Sequence, residues 1–224
     1  MEPLQHDRSY GELDQVMRAY LGQPADDTDD EPAAALQAYL RHTWHTRPWA
    51  LATAERQLRE YARNPPGRLR HELGEFYPVP DTGVPGPGVQ AWLLRLAGHI
   101  ARSVTEGAVP PPGVPQTHWE WHARFPELAQ LLGGWFSQDM PDEFDDHDAA
   151  LADYLSGTAP ALVARLAGEL HELLALTLSE ADLNLAAATL GLEVQPPPPY
   201  TPAAWLAHLA TVLTAAAGGA AGAS

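Results

Sequence analysis

The stretch Leu128-Ala129-Gln130-Leu131-Leu132-Gly133-Gly134-Trp135-Phe136 decides the fold class. Leu128, Leu131, Leu132, Trp135 and Phe136 stand at i, i+3, i+4, i+7 and i+8, which is the spacing of one apolar face of an α-helix. The same spacing occurs at Leu13, Val16, Met17, Tyr20 and Leu21. The recurrence extends beyond the stripe. Residues 10–40 align with 125–155 without a gap, and 11 of the 31 positions are identical, among them Glu12/Glu127, Leu13/Leu128, Asp27/Asp142, Leu36/Leu151 and Tyr39/Tyr154. Further on, Ala91-Trp92-Leu93 matches Ala204-Trp205-Leu206, each after a Pro-rich loop.

Each half reads as about five helices. After the amphipathic helix and an acidic loop, a second helix carries Leu36, Tyr39 and Leu40 or Leu151, Tyr154 and Leu155, with acidic residues where the helix dipole favours them. Pro48 and Pro160 suit the first turn of a third helix. Ser179-Glu180-Ala181-Asp182 resembles a cap opening a fourth that stops near Gly191. Trp205, Leu206, Leu209, Val212 and Leu213, matched by Trp92, Leu93, Leu96 and Ile100, define the fifth. No run alternates as a strand does. The expected architecture is all-α: two tandem, similar helical domains joined by a Pro-rich linker. The divisions are a first domain at 1–107, a linker at 108–117 around Val109-Pro110-Pro111-Pro112, a second domain at 118–214, and a flexible Ala/Gly tail at 215–224.

The 224 residues hold 13 basic side chains, all Arg, against 29 acidic ones, a net charge of −16. That sign disfavours nucleic acid and anionic membranes and suits a basic protein partner. The charge is uneven: residues 1–115 carry −4 and residues 116–224 carry −12. With no Cys, disulfides, thiolate metal sites and cysteine nucleophiles are excluded. The N-terminus Met1-Glu2-Pro3-Leu4-Gln5-His6-Asp7 has neither a cationic nor an apolar leader segment, and no stretch approaches the roughly 18 apolar residues of a membrane span. A soluble cytoplasmic protein is expected.

Phe125-Pro126-Glu127-Leu128, Leu132-Gly133-Gly134-Trp135-Phe136-Ser137-Gln138-Asp139, Asp148-Ala149-Ala150-Leu151 and Tyr154-Leu155 resemble the helical immunity proteins of bacterial contact-dependent growth inhibition systems. Tyr200-Thr201-Pro202-Ala203-Ala204-Trp205-Leu206 resembles the closing segment of that family. The first copy, with Tyr10-Gly11-Glu12-Leu13 and Tyr20-Leu21-Gly22-Gln23, resembles it mainly through the second, and has Pro24-Ala25 where the second has Asp139-Met140. The resemblance implies a non-catalytic cytoplasmic inhibitor that occludes one cognate toxin domain. Where the toxin is a nuclease with a basic groove, an acidic inhibitor is a coherent counterpart.

The candidate contact surface is the acidic loop between the first two helices: Asp139, Asp142, Glu143, Asp145, Asp146 and Asp148 in the second copy, with Asp26, Asp27, Asp29, Asp30 and Glu31 in the first. Such residues also serve as helix caps and solvated faces, and an EF-hand reading fails for want of its Gly and terminal Glu. Trp135, Phe136, Trp92 and Trp205 read as core; Trp119 and Trp121 stay open between packing and partner contact. His71-Glu72-Leu73-Gly74-Glu75 and His171-Glu172-Leu173-Leu174-Ala175 begin like a zinc-protease motif but lack its second His. The pairs His42/His45 and His118/His122 have helical ligand spacing without a third ligand. No metal, cofactor or catalytic residue is assigned. The alternatives are a duplicated helical adaptor bridging cellular proteins and, more remotely, a metal-dependent hydrolase.

Overall fold

A computed structural model describes residues 3–63 and 86–221, with side chains described for 10–63 and 88–218. The described residues form eleven helices and no strand. The chain divides into two compact units, residues 1–120 and 121–224.

In the first unit, α1 (Pro3–Ala19) is broken at Tyr10, whose φ of −135° and ψ of 22° are not helical. The helix restarts beyond the break, and a restarted helix has free N–H groups that need acceptors. Gln57 supplies one: its Oε1 accepts from Glu12 N at 3.0 Å and Leu13 N at 2.9 Å. Leu13, Val16, Met17 and Tyr20 are buried along one face, whereas Leu21, expected in the same stripe, lies past the helix end and is exposed. Gly22, at φ 70°, turns the chain there. The remaining helices are α2 (Ala34–Thr46), α3 (Ala50–Tyr61) and α4 (Gly86–Glu106). Pro48 lies just ahead of α3 rather than in its first turn. α1 packs on α2 and α3, and α3 lies along α4, enclosing Leu36, Tyr39, Leu51, Leu58, Trp92 and Leu96. The Pro-rich stretch is tied back onto this unit. Pro110 O meets His45 Nε2 at 2.8 Å, Ala108 O accepts from Ser103 Oγ at 3.2 Å, and Arg41 grips Glu120 with two bonds of 2.6 and 2.7 Å. That bidentate pair is of the kind that fixes geometry as well as adding energy.

The helix α5 (His118–Arg124) leads into the second unit, which holds α6 (Pro126–Trp135), α7 (Met140–Glu143), α8 (His147–Gly157), α9 (Pro160–Ala175), α10 (Glu180–Thr189) and α11 (Pro202–Ala221). Pro126 and Pro160 occupy first-turn positions where a missing N–H costs nothing. Ser179 caps α10 through Asp182 N, and the helix ends ahead of Gly191, as its sequence implies. Helix α6 packs on α8 and α9, and α9 lies along α11. Leu128, Leu131, Leu132, Phe136, Leu166, Leu170, Trp205, Leu206 and Leu213 fill the interior. Trp135 is only half-buried, edge-on to Tyr154 with its N–H on the Asp153 carboxylate. The two short helices α5 and α7 escape the periodicity because they span too few residues to display it.

Two details hold α6 in place. A Glu169 carboxylate oxygen accepts from Leu128 N at 2.9 Å, the task that Gln57 performs for α1. Gly191 lies against Gly133: a methyl group at 191 would stand 2.7 Å from Gly133 Cα, while one at 133 would find its nearest neighbour at 3.8 Å. Gly191 also has φ 104°, a conformation other residues avoid. Gly191→Ala is therefore expected to cost about 2 kcal/mol or more, against less than about 1 kcal/mol for Gly133→Ala, read from denaturant midpoints of the full chain.

Burial pushes the Glu169 carboxyl up to about 7, against the two backbone N–H bonds that favour its charge. A group with a raised pKa stabilises the fold most fully below its unfolded value near 4.3, and that contribution fades as pH rises through 7. The wild-type melting temperature should fall from pH 5 to pH 8 by a component that Glu169→Gln removes, since an amide does the same work at position 57.

Candidate functional site

Arginine is scarce in the second unit, and both arginines are committed. Arg124 Nε donates to Glu172 at 2.7 Å and Arg165 to Glu127 at 2.8 Å. Four further carboxylates accept hydrogen bonds inside the unit without a cation: Glu169 from Leu128 N, Asp153 from Trp135, Glu193 from Gln138 N and Glu180 from Ala203 N. Asp182 accepts from Ser179 Oγ, and Asp146 caps α8 by accepting from Ala149 N at 2.8 Å. The acidic side chains left with no partner among the described residues are Asp139, Asp142, Glu143, Asp145 and Asp148, and all five are exposed. They are five of the six second-copy residues predicted from the sequence. Asp146, the sixth, is a helix cap, the structural use foreseen for such residues.

Glu143 ends α7, and Asp145 and Asp148 flank the start of α8, so the five carboxylates occupy one loop and its two adjoining helix ends. Such a row attracts cationic groups and repels anions, phosphates included.

The first unit treats its acidic loop differently. Asp27 is buried, and its carboxylate accepts from Tyr20 Oη at 2.8 and 2.9 Å, Ala33 N at 2.8 Å and Trp92 Nε1 at 3.0 Å. Burial, with Asp27 beside it, holds the Tyr20 hydroxyl well above the usual range, so it stays protonated and donates. Asp29 pairs with Arg95 at 2.8 Å, which lowers its pKa, and Arg102 bonds the Asp29 and Asp30 carbonyls. Asp26, Asp29, Asp30 and Glu31 remain exposed.

One aromatic contact marks the divergence. In each unit the buried Trp of the last helix takes an aromatic ring edge-on from the end of the first: Tyr20 on Trp92 at 5.1 Å, Phe136 on Trp205 at 4.9 Å. Tyrosine brings a hydroxyl that recruits Asp27 inward. Phenylalanine brings none, and Asp142, which aligns with Asp27, is exposed. That pairing is visible in the alignment; the burial of only one member is not.

The remaining candidates have structural surroundings. Phe136, Trp92 and Trp205 are buried as expected. Trp121 stacks on Phe125 in the second core, and Trp119 leans on Tyr39 and His42 in the first unit. His122 Nε2 meets Thr189 O at 2.9 Å and His171 meets the Thr214 hydroxyl at 3.2 Å. The His71-Glu72 segment lies outside the described residues. Among the described residues no three His, Asp or Glu side chains converge as metal ligands do, and no helix is long and apolar enough to cross a membrane.

The fold and surface thus define an all-helical protein whose second unit presents uncompensated negative charge. Residues 124–213 match the family model described as CdiI immunity protein, so the family resemblance read from Phe125 to Leu206 holds over that segment, all of it in the second unit. No curated protein and no solved structure matches the chain.

If Asp27 is part of the first unit's interior and Asp142 is not part of the second's, their substitutions should differ sharply. Asp27→Ala leaves two side-chain donors and a backbone N–H without their acceptor and should cost about 3 kcal/mol; Asp142→Ala should stay within about 0.5 kcal/mol. Chemical denaturation of the full chain followed by circular dichroism measures both.

Proposed function

We propose that this is a non-catalytic immunity protein of the bacterial cytoplasm that binds a basic toxin domain through Asp139, Asp142, Glu143, Asp145 and Asp148 and occludes its active site. One observation carries the reading: the segment that matches the CdiI immunity family holds five carboxylates with no internal partner, all on one loop and its flanking helix ends. Internal packing requires none of those charges. An electrostatic interface of this kind gains association rate and selectivity against partners of the wrong sign. A nuclease, with a groove built for phosphate, is the toxin class that such a surface fits best.

The two units are proposed to be a duplication, supported by the gapless alignment of 10–40 with 125–155 and by the same succession of helix contacts, first on second and third, third along last. Within that duplication the second unit is the inhibitor. The first has drawn Asp27 inside and paired Asp29 with Arg95, which leaves it the weaker electrostatic surface.

The test begins with capture of the tagged full chain from its own cells at low salt, followed by co-expression of any toxin fragment recovered. The triple variant Asp142→Arg, Glu143→Arg, Asp145→Arg should lose protection completely while its helical circular dichroism stays unchanged; Asp146 is spared because it caps α8. Undiminished toxin affinity in that variant would overturn the loop as the contact surface. Recovery of housekeeping proteins alone, beside a control immunity protein that captures its toxin, would favour an adaptor.

A further inference from the structure

The second unit contains a cavity of about 240 Å³ lined by Asp146, His147, Asp148, Tyr200, Trp205 and His208 together with Pro197 and Pro198. Its walls combine two kinds of group. Asp148 has no partner and Asp146 uses Oδ1 for its cap, leaving Oδ2 open. Trp205 forms an aromatic wall with His147 edge-on at 5.6 Å, and Tyr200 stacks on His208 at 5.2 Å. Carboxylates beside aromatic faces suit a guanidinium, which bonds the first in a fork and stacks on the second.

The first unit meets part of its acidic loop with an arginine of its own last helix. In the alignment that pairs Trp92 with Trp205, Arg95 corresponds to His208. Arg95 leaves the last helix and donates from Nε to Asp29 at 2.8 Å and from Nη1 to Asp27 O at 3.2 Å. Residue 208 is too short for that task, and neither arginine of the second unit is available for it. The start of α8 contributes a partial positive charge of about half a unit, which opposes a cation; the full charges of Asp146 and Asp148 exceed it.

We infer that this cavity, with its two carboxylates beside aromatic faces, receives one arginine side chain from the protein partner. The inference rests on the proposed toxin-binding function and names its anchor. An arginine enclosed by carboxylates and rings at the end of a charged strip is the type of contact that concentrates binding energy at interfaces.

A titration of the ¹⁵N-labelled full chain with N-acetyl-arginine amide, followed through the Trp205 indole N–H resonance, tests it without a toxin. A saturable shift is expected with that probe and none with N-acetyl-citrulline amide, its uncharged analogue. Affinity should fall about tenfold in Asp148→Asn, the loss typical of one charge-assisted bond. His208→Arg should abolish the shift by filling the cavity from within, and Asp148→Asn keeps the test decisive should that variant misfold. An equal response to citrulline, no saturable shift, or an unchanged affinity in Asp148→Asn overturns the inference. Full toxin affinity in Asp148→Asn and in folded His208→Arg, while the triple reversal at 142, 143 and 145 loses protection, overturns it and leaves the proposed function standing. Probe uptake by a chain that protects against no toxin supports the cavity and removes the function.

Discussion

In both units a side chain from the third helix accepts N–H groups at the head of an amphipathic helix: Gln57 takes those of Glu12 and Leu13 where α1 restarts beyond Tyr10, and Glu169 takes that of Leu128 near the start of α6. A helix start buried without acceptors is costly, and here the cost is met by the helix on which it packs. The bond sets the height of the first helix on the third. That height brings Tyr20 onto Trp92 and Phe136 onto Trp205, and so sets where each acidic loop leaves the core. The two acceptors differ in one respect: an amide carries no charge into the interior, whereas Glu169 carries a proton or an ionisation penalty.

The loops above these helices diverge through charge compensation. The first unit has arginines on its last helix, and they reach its loop; the second has two arginines in all, both engaged with glutamates elsewhere. With the same framework beneath them, one loop has Asp27 buried and Asp29 paired with Arg95, and the other keeps five exposed carboxylates with no internal cation. A surface that keeps unpaired charges gives up internal stabilisation, and binding is the usual return for such an arrangement.

Much of this was legible from the residues. The helical stripe at 128–136, its repetition at 13–20, the cap at Ser179 and the first-turn place of Pro160 all follow from local rules of spacing and backbone chemistry, which act within a few residues of themselves. The break at Tyr10 and the exposure of Leu21 were not legible, because each follows from how a helix end meets its neighbours rather than from the helix's own pattern. The acidic loop was located by composition alone, since six acids between residues 139 and 148 require no structure to count.

The sequence by itself determined that the chain is helical, that its two halves share a pattern, and that negative charge concentrates in the second. Those properties are sums or periodicities of single residues. Only the tertiary structure decided which carboxylates are spent and which are free. Asp27 and Asp142 are the same residue at aligned positions, yet one lies in the core bonded to Tyr20 and Trp92 while the other faces solvent. The indole of the last helix is common to both units, so the difference turns on the Tyr20 hydroxyl seven residues away, which the Phe136 ring on Trp205 lacks, and no rule confined to the loop contains it.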